Sequence, residues 1–174
     1  MLEIRPANQK EYPAVRVFYH DLIDAMENAE FSPGWKKDVY PAPEFLLGSI
    51  RNGELYIGTI DETIVSCMVL NQKCNEGYRK IKWSVEAEDS EVFVIHALGV
   101  TPKFGKRGIA KDMVRKAFNV ARWHDIHVLR LDVLQGNTPA VKAYSKMGFQ
   151  HMGTVQMFYD DTGWTNFEMF ECVI

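Results

Sequence analysis

The stretch VFVIHALGV, residues 92–100, runs into TPKFGKRGIA, residues 101–110, and it decides the fold. The first nine residues are apolar except for His96, which is typical of a central strand covered on both faces. The loop that follows carries glycines and basic residues, namely Lys103, Gly105, Lys106, Arg107 and Gly108. Because a helix that begins here leaves N–H groups unpaired and carries partial positive charge, the loop is suited to hold phosphate. Glycine and lysine also occur at strand–helix junctions that bind nothing, and the Gly-Lys-[Ser/Thr] of a P-loop is absent.

The chain after this stretch predicts two helices and three strands. Apolar residues recur at every fourth position from Ile109 to Ala121, so residues 108–123 are predicted as a helix with a broad buried face. A second helix is expected to begin at an Asn137 cap and to end at Gly148. The three strands are predicted at Val128–Leu134, Phe149–Tyr159 and Trp164–Val173.

The chain before this stretch predicts two further helices, at about residues 9–28 and 44–50, joined by a proline- and glycine-rich loop. The strands on this side are predicted at Leu2–Arg5, Leu55–Ile60, Ile64–Asn71 and Lys80–Val85. The acidic run Glu86–Glu91 is interpreted as a solvated loop. Since the sequence contains no repeat and no linker, we expect residues 1–174 to form one domain.

Composition narrows the possible functions. The chain has 174 residues, of which 47% are hydrophobic, so a substantial core is expected. A net charge of −3 argues against general nucleic-acid binding. Three cysteines without a C-x-x-C pair indicate reduced thiols, and we expect a cytoplasmic protein. No apolar run approaches the ~20 residues of a membrane span, and the charged N-terminal residues do not resemble a signal peptide.

Three blocks of the chain resemble the GNAT N-acetyltransferase superfamily. They are the strand Ile95–Pro102, the loop Lys103–Ala110, and the segment from Asn137 through Tyr144 to Phe149. Each block is weak alone, but their order and spacing are specific, and the resemblance covers about residues 54–158. It implies an α/β (layered α+β) fold with a central mixed, mostly antiparallel sheet of about seven strands flanked by about four helices.

The resemblance also implies an enzyme that moves an acetyl group from acetyl-CoA directly to a primary amine of a small molecule or peptide, in a ternary complex. Coenzyme A is then the carrier of the cosubstrate, and no metal is implied. In this family the strand backbone pairs with pantetheine and the loop amides hold the pyrophosphate. The residues so implied are Leu98, Gly99, Val100, Gly105, Lys106, Arg107, Gly108, Ile109, Ala110, Asn137, Ala140 and Tyr144. Gly105 departs from the Gln or Arg usual there, so Lys106 and Arg107 are the candidates for the missing cation.

Acyl transfer requires that the amine lose a proton and that the departing thiolate gain one. The resemblance assigns the general acid to Tyr144, whose phenol has an ordinary pKa of about 10; the alternative is a core aromatic residue. His96 occupies a strand position where many members carry a glutamate that accepts the amine proton, and a neutral imidazole can do the same. The alternative is a core histidine satisfied by hydrogen bonds. Glu91, at the start of the strand, is a third candidate base.

The sequence says least about which residues contact the amine acceptor. The family places it near Trp35, Tyr40, Tyr78 and Trp83, of which at least two are expected to pack in the core instead. His124 and His127 lack the neighbours of a metal site. A non-catalytic acyl-CoA-binding module and another phosphate-ligand enzyme stay open as alternatives. The acceptor, the acyl length and the oligomeric state, a homodimer included, are undetermined.

Overall fold

The chain folds around one seven-stranded sheet. The computed structural model describes all residues, Met1–Ile174. The strands are β1 (Glu3–Pro6), β2 (Leu55–Ile60), β3 (Thr63–Asn71), β4 (Val92–Val100), β5 (Val128–Leu134), β6 (Gln150–Tyr159) and β7 (Gly163–Val173). Their order across the sheet is β1-β2-β3-β4-β5-β7-β6, in which β4 and β5 are the one parallel pair. The mixed, mostly antiparallel sheet expected from the sequence is confirmed.

Four α-helices cover the two faces of the sheet. They are α1 (Tyr12–Met26), α2 (Pro43–Arg51), α3 (Ile109–Trp123) and α4 (Thr138–Lys146). The apolar sides of α1 and α2 share one buried cluster with Ile57 of β2, while α3 shares another with Leu131 of β5. Burying one apolar stripe of each helix against one face of the sheet removes both from water. None of the helices combines the length and apolar composition that a membrane crossing requires.

The strand predicted at Lys80–Val85 is wrong. This part of the chain is a 3-10 helix, Glu76–Lys80, followed by an irregular segment with bends that pairs with no strand. Its alternate side chains, among them Trp83, do turn inward onto a buried cluster, which explains the strand-like pattern. The segment is instead fastened by side chains: the Ser84 N–H donates to Glu171 Oε1 at 2.9 Å, and Arg130 Nη2 donates to the Val85 carbonyl at 2.8 Å. Burial that alternates from one residue to the next shows that one side of a segment is covered. It does not require the hydrogen bonds that join neighbouring strands of a sheet.

The two parallel strands separate halfway along their length. Their pairing begins at Val92 and ends where Val94 lies beside Arg130, although β4 continues to Val100 and β5 to Leu134. The register of β4 against β3 also shifts in this region, and Ala97 adopts a φ of 49°. The Tyr19 hydroxyl donates to the Ala97 carbonyl at 2.7 Å and holds this irregularity. The second half of β4 therefore has a free backbone edge on its β5 side.

Candidate active site

A cavity of about 110 Å³ occupies the gap between β4 and β5. Its walls come from these two strands, from α4, from the turn between β6 and β7, and from the loop that precedes α2. Seven residues singled out from the sequence line it together: Trp35, Tyr40, His96, Leu98, Asn137, Ala140 and Tyr144. Since the carboxyl ends of parallel strands meet at one edge of a sheet, the gap opens toward the loops that follow β4 and β5.

The loop after β4 presents the N-terminus of α3 at this edge. Gly108 caps the helix with a φ of 80°, a left-handed conformation that side chains with a Cβ rarely adopt. The first intrahelical bond runs from the Asp112 N–H to the Gly108 carbonyl at 3.0 Å, so the N–H groups of residues 109–111 have no acceptor within the helix. Residues 105–108 are exposed, and the Arg107 guanidinium lies 4.9 Å from the Phe104 ring centroid. The loop can bind an anion, but it does not line the cavity itself.

Tyr144 lies on α4, whose start is fixed by Asn137. The Asn137 Oδ1 accepts a hydrogen bond from the Ala140 N–H at 3.4 Å, as expected of a cap. Two turns later the Tyr144 ring packs edge-on against Phe149, with ring centroids 5.7 Å apart, and lines the cavity. Burial raises the pKa of the Tyr144 phenol above 10, and the nearby Asp132 carboxyl adds to this. The phenol is therefore protonated at neutral pH and available as a proton donor.

His96 faces the cavity from β4 and is also hydrogen-bonded. Its Nε2 lies 2.9 Å from Asn71 Oδ1, which also accepts the Lys73 N–H at 3.0 Å. Because a backbone N–H identifies this amide atom as the oxygen, we assign the imidazole proton to Nε2. Burial lowers the pKa of His96 to about 4, so the ring is neutral at physiological pH. The hydrogen bond to Asn71 agrees with the expectation of a satisfied histidine, and the role of His96 as a base stays a prediction.

Asp132 lies on β5 and lines the cavity, although the sequence had not singled it out. Two phenols hold its carboxylate: the Tyr78 hydroxyl donates to Oδ2 at 2.8 Å and the Tyr159 hydroxyl at 3.0 Å. Burial raises the pKa of Asp132, although both hydrogen bonds act in the opposite direction. The signal available in the sequence was a single acid in the otherwise largely apolar strand VLRLDVL.

Three of the residues singled out as catalytic or acceptor-side candidates lie away from the cavity. Trp83 stacks on the Arg130 guanidinium, 4.2 Å from its ring centroid, and its indole N–H donates to the Tyr78 carbonyl at 2.9 Å. Tyr78 is buried and reaches the site only through its hydroxyl on Asp132. The Glu91 carboxylate is exposed and accepts the Glu88 N–H at 2.8 Å. No group of three or more His, Cys, Asp or Glu side chains is placed to share a metal ion.

Curated relatives match less than half of the chain. Mycothiol acetyltransferase from Corynebacterium glutamicum is 35% identical over 65 residues, which are 37% of this chain and 22% of that protein. N-alpha-acetyltransferase RimI from Mycobacterium tuberculosis is 31% identical over 71 residues, which are 41% of this chain and 43% of that protein. The matched region therefore spans less than half the length of either relative.

Solved structures match the whole chain at low identity. An acetyltransferase of the GNAT family from Streptococcus agalactiae superposes with a TM-score of 0.81 at 20% identity, over 99% of this chain and 95% of that one. Arabidopsis thaliana NAA60, solved in complex with acetyl-CoA, superposes with a TM-score of 0.70 at 18% identity, over 100% of each chain. At such identities the similarity establishes the fold.

A family model supplies the remaining comparison. The model described as "Acetyltransferase (GNAT) family" matches residues 18–149, from the first helix to the end of the segment that follows α4. This range contains the loop before α3, the Asn137 cap and Tyr144, on which the resemblance was based. The resemblance is confirmed, and the chain belongs to the acetyltransferase (GNAT) family.

Proposed function

We propose that the chain transfers an acetyl group from acetyl-CoA to a primary amine in a ternary complex. One observation carries the proposal: the separation of β4 and β5 brings a free strand edge, a helix N-terminus and the Tyr144 phenol to one opening in the sheet. The family to which the chain belongs supports the same activity. RimI, the partial relative described above, is itself named as an acetyltransferase of α-amines.

The donor is proposed to enter from the edge where β4 ends. The unpaired backbone of β4 around Leu98 offers hydrogen bonds to the amides of the pantetheine arm, as an additional strand would. The N–H groups at the start of α3 bind the pyrophosphate, and the exposed Lys106 and Arg107 supply positive charge beside Gly105. With the arm in the gap, its thioester is expected to lie beside Ala140 and Tyr144 on α4.

The acceptor is proposed to approach from the side of the cavity that carries Asp132 and His96. Its nitrogen attacks the thioester carbonyl, the new C–N bond forms as the C–S bond breaks, and the thiolate takes the Tyr144 proton. Before the attack the bound ammonium releases one proton to solvent water, so that the attacking nitrogen is neutral. The second proton leaves the nitrogen after the attack and, through solvent, restores the Tyr144 phenol. Proton transfer from an ordinary ammonium, of pKa about 10, to His96, of pKa about 4, is uphill by roughly 8 kcal/mol. Asp132 adds a negative charge that attracts the ammonium, so we assign the binding of the amine to Asp132.

The test is turnover by the purified chain. Acetyl-CoA with a panel of primary amines should release free thiol, and mass spectrometry should find one acetyl group added to the accepted amine. The exposed Glu91, replaced as Glu91→Gln, serves as a control that should retain activity, since Glu91 lies outside the cavity. Tight binding of acetyl-CoA by calorimetry without turnover of any amine would instead identify a non-catalytic acyl-CoA-binding module. Competition of ATP with coenzyme A for the loop would indicate another phosphate ligand.

A further inference from the structure

Asp161 is a carboxyl group that the proposed reaction does not use. It lies in the turn between β6 and β7, where an aspartate is ordinarily solvated, yet the residue is only 5% exposed. Asp160, its neighbour in the same turn, is exposed. The Asp161 side chain lines the cavity, and its Oδ1 is buried without a hydrogen-bond partner. Because an unpartnered buried carboxylate oxygen costs free energy, this position indicates a partner that comes from outside the chain.

The cavity thus carries two carboxyl groups, Asp132 on the β5 wall and Asp161 at the turn. Burial raises the pKa of both carboxyls; the charge of Asp161 raises the pKa of Asp132 further, and the charge of Asp160 raises that of Asp161. The backbone N–H groups of Asp161 and Thr162 lower the pKa of Asp161, and so does the Lys36 ammonium, which is exposed and lies outside the cavity. The electrostatic free energy of two carboxylates in one small cavity is lowered most by a ligand that brings two positive charges.

Aromatic rings complete the site near the two carboxyls. Burial raises the pKa of Tyr40, and the charges of Asp132 and Asp161 raise it further, which places this ring within the field of each. The Tyr40 centroid lies 6.1 Å from that of Trp35 and 5.9 Å from that of Tyr159, and all three rings line the cavity. Aromatic faces attract cations and also accept methylene groups. Such walls suit a short aliphatic chain with a positive charge at each end.

We propose that the acceptor is a small diamine, whose reacting nitrogen lies at Asp132 while Asp161 binds its second ammonium. The inference rests on the proposed acetyl transfer and makes Asp161 a specificity-determining residue. A monoamine of the same carbon chain offers Asp161 no cationic donor, whereas the diamine gives one to each carboxylate. The diamine is therefore expected to bind more tightly than the monoamine, and this difference in binding free energy does not depend on the chemistry of the thioester.

The experiment compares putrescine with butylamine and aminobutanol, which share its carbon chain but lack the second charge. Thiol release by the wild-type chain with acetyl-CoA should give a kcat/KM at least about tenfold higher for putrescine. Asp161→Asn should remove most of this preference by lowering the value for putrescine, with little effect on butylamine. Asp160→Asn is the matched control, since it removes a charge from the same turn at an exposed position, and it should keep the preference.

Calorimetry with putrescine separates this inference from the proposed function. Putrescine binding that weakens at least about tenfold in Asp161→Asn, and not in Asp160→Asn, supports the diamine site even if no amine is acetylated. If no amine led to the release of thiol, this result would count against the proposed acetyl transfer but not against the diamine site. Equal kcat/KM for putrescine and butylamine in the wild type overturns the diamine inference, as does a loss in Asp161→Asn that is the same for both amines. Preference for a peptide amine without a second cation overturns it as well.

Discussion

Replacing Asp132 by asparagine keeps the size of the side chain and removes its charge at the point where two phenols converge. The Tyr78 and Tyr159 hydroxyls, at 2.8 and 3.0 Å, still find an oxygen acceptor in the amide, so the geometry of the wall is kept. What is lost is the attraction between the carboxylate and the ammonium of the acceptor inside a partly buried cavity. Removing one partner from such a charge pair costs about 2–5 kcal/mol, which corresponds to a roughly 30- to 5,000-fold lower kcat/KM.

The same substitution should not destabilise the fold at neutral pH. Burial raises the pKa of Asp132 above its ordinary value near 3.8, so the folded chain binds this proton more tightly than the unfolded chain does. The free energy of unfolding therefore falls as the pH rises from below 4 through the folded-state pKa, and the full cost is present above it. Asparagine does not titrate. Asp132→Asn should accordingly melt at the same temperature as the wild type or higher at pH 7, and the difference should shrink toward pH 4.

Thermal melts across this pH range and kcat/KM with the accepted amine together form the assay. Asp21→Asn, which removes an exposed carboxylate from α1, is the control for charge alone and should change neither quantity much. A kcat/KM for Asp132→Asn within about threefold of the wild type would refute the assignment of the amine to this carboxylate. A clear loss of stability at pH 7 would show that the carboxylate supports the fold and would refute the linkage argument.

Three further outcomes test other parts of the site. Tyr144→Phe should lower kcat by about 10²- to 10⁴-fold and leave the Kd of acetyl-CoA nearly unchanged; a weaker Kd with normal kcat would contradict the role as acid. Gly108→Val should weaken acetyl-CoA binding in calorimetry, since a β-branched residue at a φ of 80° costs about 1–3 kcal/mol; unchanged affinity would argue against the loop as the pyrophosphate site. His96→Gln should leave the pH dependence of kcat/KM between about pH 6 and 9 unaltered, because burial lowers the pKa of His96 to about 4 and the ring is already neutral there. If the substitution removed an inflection from the pH dependence of kcat/KM in the neutral range, His96 would again be the candidate base.

Local patterns predicted most of the fold because their causes are local. The nine-residue apolar run of β4 predicted a buried central strand, and a glycine directly before the periodic pattern of α3 predicted the start of that helix. Asn137 capped α4 as expected, since an Asx side chain satisfies the first N–H groups wherever a helix begins. For Lys80–Val85 the local pattern predicted the wrong element. Its alternating burial is real, but the segment is held by the buried charged side chains of Arg130 and Glu171 rather than by a neighbouring strand.

The sequence by itself indicated the family, the loop before α3 that we propose to bind the pyrophosphate, and Tyr144 on α4 as the proposed acid. Only the tertiary structure decided which side chains meet at the acceptor. Asp132 became a candidate because β4 and β5 separate after Val94 and because two distant phenols converge on it. Asp161 became a candidate because it is buried, although it lies in a turn whose local sequence predicts exposure to solvent. Both depend on contacts between residues far apart in the chain, and no local propensity encodes such contacts.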